Sequence, residues 1–165
     1  MKRVCQNIDM KQPPDELEAM IGYRLKQVQA ALRSRMDETL KPLELTTSQY
    51  SCLETIGRRP GASNAEIARR VFVSRQAMNT LLRGLQQRGL VARAETAESG
   101  RALPIRLTGE GRRLLQEAAD RVARIEEAMS EALGPEGRAS LMDGLLRCAD
   151  SLEAPRPLTP RDAPS

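Results

Sequence analysis

Residues 63–108 read SNAEIARRVFVSRQAMNTLLRGLQQRGLVARAETAESGRALPIRLT, and the reading of this stretch decides the fold. Ser63 is placed to cap a short helix, with Glu66 three residues on able to reach back to the cap amide, a capping box. Ile67, Ala68 and Val71 share one face of that helix. Phe72 and Val73 leave room only for a turn, after which Ser74 is an N-cap for a second helix. There Met78, Leu81, Leu82 and Leu85 recur at i, i+3, i+4 and i+7, an apolar stripe that must pack on the rest of the domain. Gly89 suits the residue after the helix end, where a left-handed backbone carries no Cβ clash. Leu90–Arg93 and Leu103–Leu107 then read as strands around a polar loop, Glu95–Arg101, with Gly100 at its tip. Pro104 lacks an amide hydrogen, so its strand is expected to have an edge there or to lose a ladder bond. The pattern is helix, turn, helix, two strands: a winged helix-turn-helix in a mainly α fold with a small β wing.

The face of the second helix opposite the apolar stripe carries Gln76, Asn79, Thr80 and Arg83, with Arg75 beside them. These side chains pair naturally with base edges, Arg with guanine and Gln or Asn with adenine. Ser63 and Asn64, at a helix N-terminus, suit phosphate oxygens, and Ser74 opens the helix that would lie in the groove. Gln86 and Gln87 lie further along and read as solvated.

Charge supports a polyanionic partner. The net charge is +4 over 165 residues. Between Arg58 and Arg113 there are twelve arginines and four glutamates, a local balance of +8, while the remainder holds fourteen basic and eighteen acidic residues, or −4. A basic reading head on an acidic remainder fits duplex DNA, whose affinity is dominated by phosphate contacts.

Absences narrow the classes further. With no histidine there is no Ser-His-Asp triad, His-ligated zinc or imidazole base. A single Phe and no Trp argue against a reader that stacks on unpaired bases. No Gly-rich phosphate loop is present, so the sequence is read as non-enzymatic, with no catalytic residues, cofactor or metal. Cys5, Cys52 and Cys148 are odd in number and widely separated, with neither CxxC spacing nor a disulfide framework; reduced structural thiols are the expectation, and a redox-sensing regulator is the alternative they leave open. No apolar run approaches the roughly 20 residues of a membrane span. The N-terminus lacks the apolar core of a signal peptide, which predicts a cytoplasmic protein.

Outward from the central stretch, residues 1–14 read as a flexible arm. Asp15 with Glu18 forms a capping box for a helix whose stripe, Leu17 to Met36, runs to about Leu40, and Pro42 stops it. Thr46 and Gln49 form another box, opening a helix to about Arg58 with Tyr50, Leu53 and Ile56 inward. Thr108 reads as the cap of a long helix that carries Leu114, Leu115, Ala118, Val122, Ile125, Met129 and Leu133 on one side. Gly134-Pro135 separates it from a last helix, and residues 154–165, proline-rich, read as a disordered tail. The terminal helices carry apolar faces that a compact reading head does not cover.

The segment from Leu45 to about Leu133 resembles the MarR family of transcription regulators. LTTSQYSCLETI resembles the helix before the motif, IARRVFVSRQAMNTLLRGLQQRGLV the helix-turn-helix, and GRALPIRLTGEG the wing and its exit. Two positions depart from the family pattern. Thr96 and Ser99 stand where the wing commonly has acidic residues beside its arginine, and Phe72 stands where many members have Gly. The resemblance implies a winged helix-turn-helix at residues 43–107, with residues 15–42 and 108–153 forming a helical dimerisation region. It implies a homodimeric regulator, in the first instance a repressor, on an inverted-repeat operator, with Arg101 in the wing entering the minor groove and Arg93 and Arg106 near the backbone. It also implies a small aromatic or phenolic anion as effector, for which Tyr23, Arg24 and Tyr50 are the available residues. The competing class is a winged helix that docks on an acidic protein, which the lack of an apolar anchor on the reading face disfavours.

Overall fold

The structure is a computed structural model that describes residues 16–93 and 105–154. The element order is α1 (Ile21–Leu40), a 3-10 turn (Lys41–Leu43), α2 (Thr47–Arg58), α3 (Asn64–Val71), α4 (Arg75–Gln87), β1 (Val91–Arg93), β2 (Ile105–Leu107) and α5 (Gly109–Glu153). The expected arm, 1–14, and all but the first residue of the tail, 154–165, lie outside the described residues, as do Cys5 and the wing loop. The chain divides into two units, Met1–Arg121 and Val122–Ser165.

The first unit is built on locally encoded helix starts. At α2 the Thr46 hydroxyl accepts from the Gln49 amide at 3.2 Å, while the Gln49 side chain accepts from the Thr46 amide at 3.0 Å. The Ser63–Glu66 box opens α3 in the same way, and the Ser74 hydroxyl caps α4 by accepting from the Ala77 amide at 3.2 Å. These caps satisfy amides that a helix N-terminus otherwise leaves without partners.

The helices enclose one core. Leu40, Leu53, Ile67, Met78, Leu85 and Cys52 are its largest fully buried side chains. β1 and β2 pair antiparallel with Val91 opposite Leu107 and Arg93 opposite Ile105. Val91 and Ile105 are buried, so the ribbon seals one edge of this core. The residues between the strands, 94–104, including Pro104 and Arg101, lie outside the described residues.

Helix α1 departs from expectation at its start. It begins at Ile21, with Met20 as an N-cap that makes no side-chain bond, and is about 30 Å long at 1.5 Å per residue. Residues 16–19 form a turn, and Glu18 pairs with Arg24 at 3.5 Å instead of capping. Asp15 lies outside the described residues. The physical reason is exposure: Leu17, Met20 and Ile21 are 51%, 59% and 66% exposed, so no packing supports an extra turn that propensity alone holds weakly.

The other end of α1 is fastened. The Asp37 carboxylate accepts from the Thr47 hydroxyl at 2.6 Å and the Thr47 amide at 3.2 Å, tying α1 to the N-terminus of α2. Those bonds, the hydroxyl first, hold its carboxyl below the ordinary 3.8. A depressed folded-state pKa contributes stability that is present above 3.8 and is lost as pH falls through the folded value. Asp37→Ala is therefore expected to cost about 1 kcal/mol at neutral pH, the scale of a helix cap, and little in acid; urea unfolding at the two pH values checks this.

In the second unit the helix is interrupted at Gly134, whose φ of 65° and ψ of 171° are not helical, beside Pro135. This is the break that the Gly-Pro pair predicts.

Candidate nucleic-acid interface

Helix α4 has two unlike sides. Met78, Leu82 and Leu85 are buried beneath it, whereas Arg75, Gln76, Asn79, Thr80 and Arg83 are all exposed. Neither Arg75 nor Arg83 has an ion-pair partner among the described residues. The predicted reading residues thus come together on one open face, with donors and acceptors free for an outside partner. Only Thr80 is partly committed, donating to the Gln76 carbonyl at 3.3 Å.

Around that face, Ser63 is exposed and Asn64 half-buried at the start of α3. The Ser63 hydroxyl and amide both donate to Glu66 at 2.7 Å. Those bonds hold the Glu66 carboxyl below its ordinary range, the hydroxyl contributing most. Ser63 is thereby committed to its own helix, and the free amides of the first turn are what remain for a phosphate. On the ribbon Arg93 and Arg106 are exposed, Arg106 on the strand opposite Ala92. Arg101 lies outside the described residues.

A residue that sequence reasoning missed fixes the other end of α4. Arg88 donates to the Glu44 carbonyl at 2.6 Å and to the Leu43 carbonyl at 3.3 Å, clamping the helix end to the turn that follows α1. Glu44 there has a left-handed φ of 53°. The contact spans 44 residues, and no local pattern announces it. Thr108 plays the corresponding part at the ribbon's exit: its hydroxyl donates to the Gly89 carbonyl at 2.7 Å and accepts from the Gly111 amide at 3.0 Å.

The three residues proposed for an effector are dispersed in environment. Tyr50 is 5% exposed in the core, where burial first and the Glu54 carboxylate second push its phenol up to about 12. Tyr23 is half-buried on α1, and Arg24 is exposed, donating to Gln27 at 2.9 Å as well as pairing with Glu18. Cys52 is fully buried, 3.9 Å from the Met78 sulfur, and burial pushes its thiol up to about 12. That environment suppresses the thiolate on which redox sensing depends. Among the described residues there is no cluster of His, Cys, Asp and Glu able to hold a metal, and no helix long and apolar enough to cross a membrane.

A capped three-helix core, an open polar face on the second helix of a helix-turn-helix and an adjoining two-stranded ribbon define a winged helix-turn-helix protein. Comparison with known proteins narrows the class. The MarR family model matches residues 43–102. The HTH-type transcriptional repressor Rv2887 of Mycobacterium tuberculosis is 46% identical over 101 residues, covering 61% of this chain and 73% of the relative. The structure of Rv2887 in complex with salicylic acid superposes with a TM-score of 0.65 at 38% identity, over 79% of this chain and 96% of that one. The transcriptional repressor CouR bound to a 23-mer DNA duplex superposes with a TM-score of 0.75 at 31% identity, over 84% and 99%. The chain belongs to the MarR family of DNA-binding transcription regulators.

Proposed function

We propose that this protein is a cytoplasmic repressor that binds an inverted-repeat operator as a homodimer, each subunit laying α4 into a major groove. The observation that carries this reading is the division of α4 into a buried apolar side and a bare Arg/Gln/Asn/Thr side. Arg75, Gln76, Asn79, Thr80 and Arg83 meet base edges. Ser74, Asn64 and the backbone at Ser63 meet phosphates, and Arg101 enters the minor groove from the wing. Residues 43–107 are the reading domain. Residues 15–42 and 108–153 form the dimerisation region, a role supported by exposed Met20, Ile21, Leu25 and Val28 on the N-terminal side and Leu141, Met142, Leu145 and Leu146 on the C-terminal side. Apolar faces of this extent find cover in a second subunit.

Selection of genomic fragments by the purified full chain tests the proposal. The expected product is a pseudo-palindrome with half-sites about 10 bp, or one helical turn, apart. Enrichment of asymmetric sites, or of none, counts against it. Arg101→Ala is expected to weaken binding evenly across sequences and to lower the salt slope by about one, read by anisotropy titration over a series of salt concentrations.

A small aromatic carboxylate is the proposed effector, supported by the salicylic acid in the complex of the Rv2887 relative. Tyr23 and Arg24 offer it a ring and a guanidinium, with Tyr50 the third residue available to it. A ligand that favours one separation of the two heads lowers DNA affinity by its differential affinity for the two states. Salicylate is expected to raise the melting temperature, and Arg24→Ala to abolish the rise; a full response in the variant removes Arg24 from the site.

A further inference from the structure

The helix-turn-helix has a second unusual face, on the side of α3 away from its packed residues. Arg59, Arg69 and Arg70 are exposed around a shallow cavity of about 560 Å³ that Phe72 completes. The one carboxylate in its lining, Glu66, already accepts from Ser63. None of the three arginines has an ion-pair partner among the described residues. The patch is strongly cationic.

Phe72 is the only phenylalanine of the chain, and it is 93% exposed. It also holds a left-handed backbone, φ 56° and ψ 42°, at the C-cap of α3. Glycine is the residue that occupies such a position without strain. The ring thus stands in solvent at both a conformational and a hydration cost, and only the backbone of Phe72, not its side chain, serves the end of α3.

We propose that this face docks an acidic partner protein that seats an apolar side chain against Phe72 and sets carboxylates against Arg59, Arg69 and Arg70. Arginine and aromatic side chains together are what protein interfaces concentrate, with the aromatic ring as the desolvated anchor. Duplex phosphates have no use for such a ring. The contrast with α4 is direct: its open face has hydrogen-bonding groups and no apolar anchor, whereas the α3 face has an anchor ringed by charge. The α3 face is thereby given to a protein partner, and this inference goes beyond the reading of DNA by α4.

The test uses the full chain and a fluorescent peptide alternating Asp and Glu with Leu. Companion peptides replace every Leu by Ala or every acidic residue by Lys. The acidic Leu peptide is expected to bind, and both companions to bind at least about tenfold more weakly. Phe72→Gly removes the ring and relieves the left-handed strain, so its melting temperature is expected to equal or exceed that of the parent. The same variant should weaken the peptide about tenfold and leave duplex affinity unchanged. Arg69→Ala/Arg70→Ala should likewise weaken the peptide about tenfold, while lowering operator and scrambled duplex affinity equally and by less than the peptide. The proposal is overturned if the acidic Leu peptide does not bind, or if its binding ignores Phe72→Gly or the loss of its Leu residues. It is equally overturned if Phe72→Gly weakens duplex binding, or if Arg69→Ala/Arg70→Ala weakens the operator at least as much as the peptide, either of which gives the face to DNA. Concentration-dependent self-association abolished by Phe72→Gly assigns the face to a second copy of the chain and likewise overturns it.

Discussion

Replacing Asn79 and Arg83 together by alanine is expected to cut affinity for the selected operator by about 4 kcal/mol, close to a thousandfold, from two losses of about 1–3 kcal/mol each. The residues are four apart on the exposed side of α4, one turn above the other, and neither supports the core. Folding should therefore be unaffected. What distinguishes base reading from general attraction is where the loss falls. Affinity for a scrambled duplex should drop far less, by the share of one missing cation, so discrimination collapses while non-specific binding persists. Equal losses on operator and scrambled duplex, in a competition titration at one salt concentration, would assign both residues to the phosphate backbone.

The second large effect is on stability and runs against helix propensity. Gly-to-Ala exchanges inside helices ordinarily gain up to about 1 kcal/mol. Gly111→Ala is instead expected to cost about 3 kcal/mol, lowering the melting temperature by on the order of 10 °C. A Cβ at residue 111 would lie 1.9 Å from the Leu90 carbonyl oxygen and 2.9 Å from its carbon. That carbonyl cannot yield cheaply, because it accepts from the Thr108 amide at 3.0 Å at the exit of the ribbon. Gly84→Ala is the control: a Cβ there meets nothing within 4 Å, so the exchange should be neutral or stabilising. Denaturant unfolding of the pair reads the difference, and equal stabilities would contradict a tight packing of α5 on Leu90.

Much of this architecture is legible in the chain because its decisive signals are local. The Thr46–Gln49 and Ser63–Glu66 boxes act across three residues, and the Met78, Leu82 and Leu85 stripe across two turns, so spacing alone locates α2, α3 and α4. The polar face of α4 follows as the complement of that stripe. At α1 the same kind of signal misleads: Asp15 and Glu18 have capping spacing, yet without packing behind Leu17 and Met20 the helix waits until Ile21. Contacts between distant residues leave no periodic trace. The Arg88 clamp on Glu44, the Asp37 bond to Thr47 and the close approach of Gly111 to Leu90 all depend on how elements meet. Phe72 is visible in the sequence only as a departure from the family's Gly; its exposure and left-handed backbone are what give the departure meaning.

The proposed function gives the basic helix-turn-helix face to duplex DNA. Its most direct test is an anisotropy titration of the full chain against its selected operator as salt rises from about 50 to 200 mM. For a reader making about 6–10 phosphate contacts, the affinity is expected to fall by about 10³–10⁵ across that range, with operator favoured over scrambled duplex throughout. An affinity that stays flat with salt, or no duplex binding at the lowest concentration, would contradict the account.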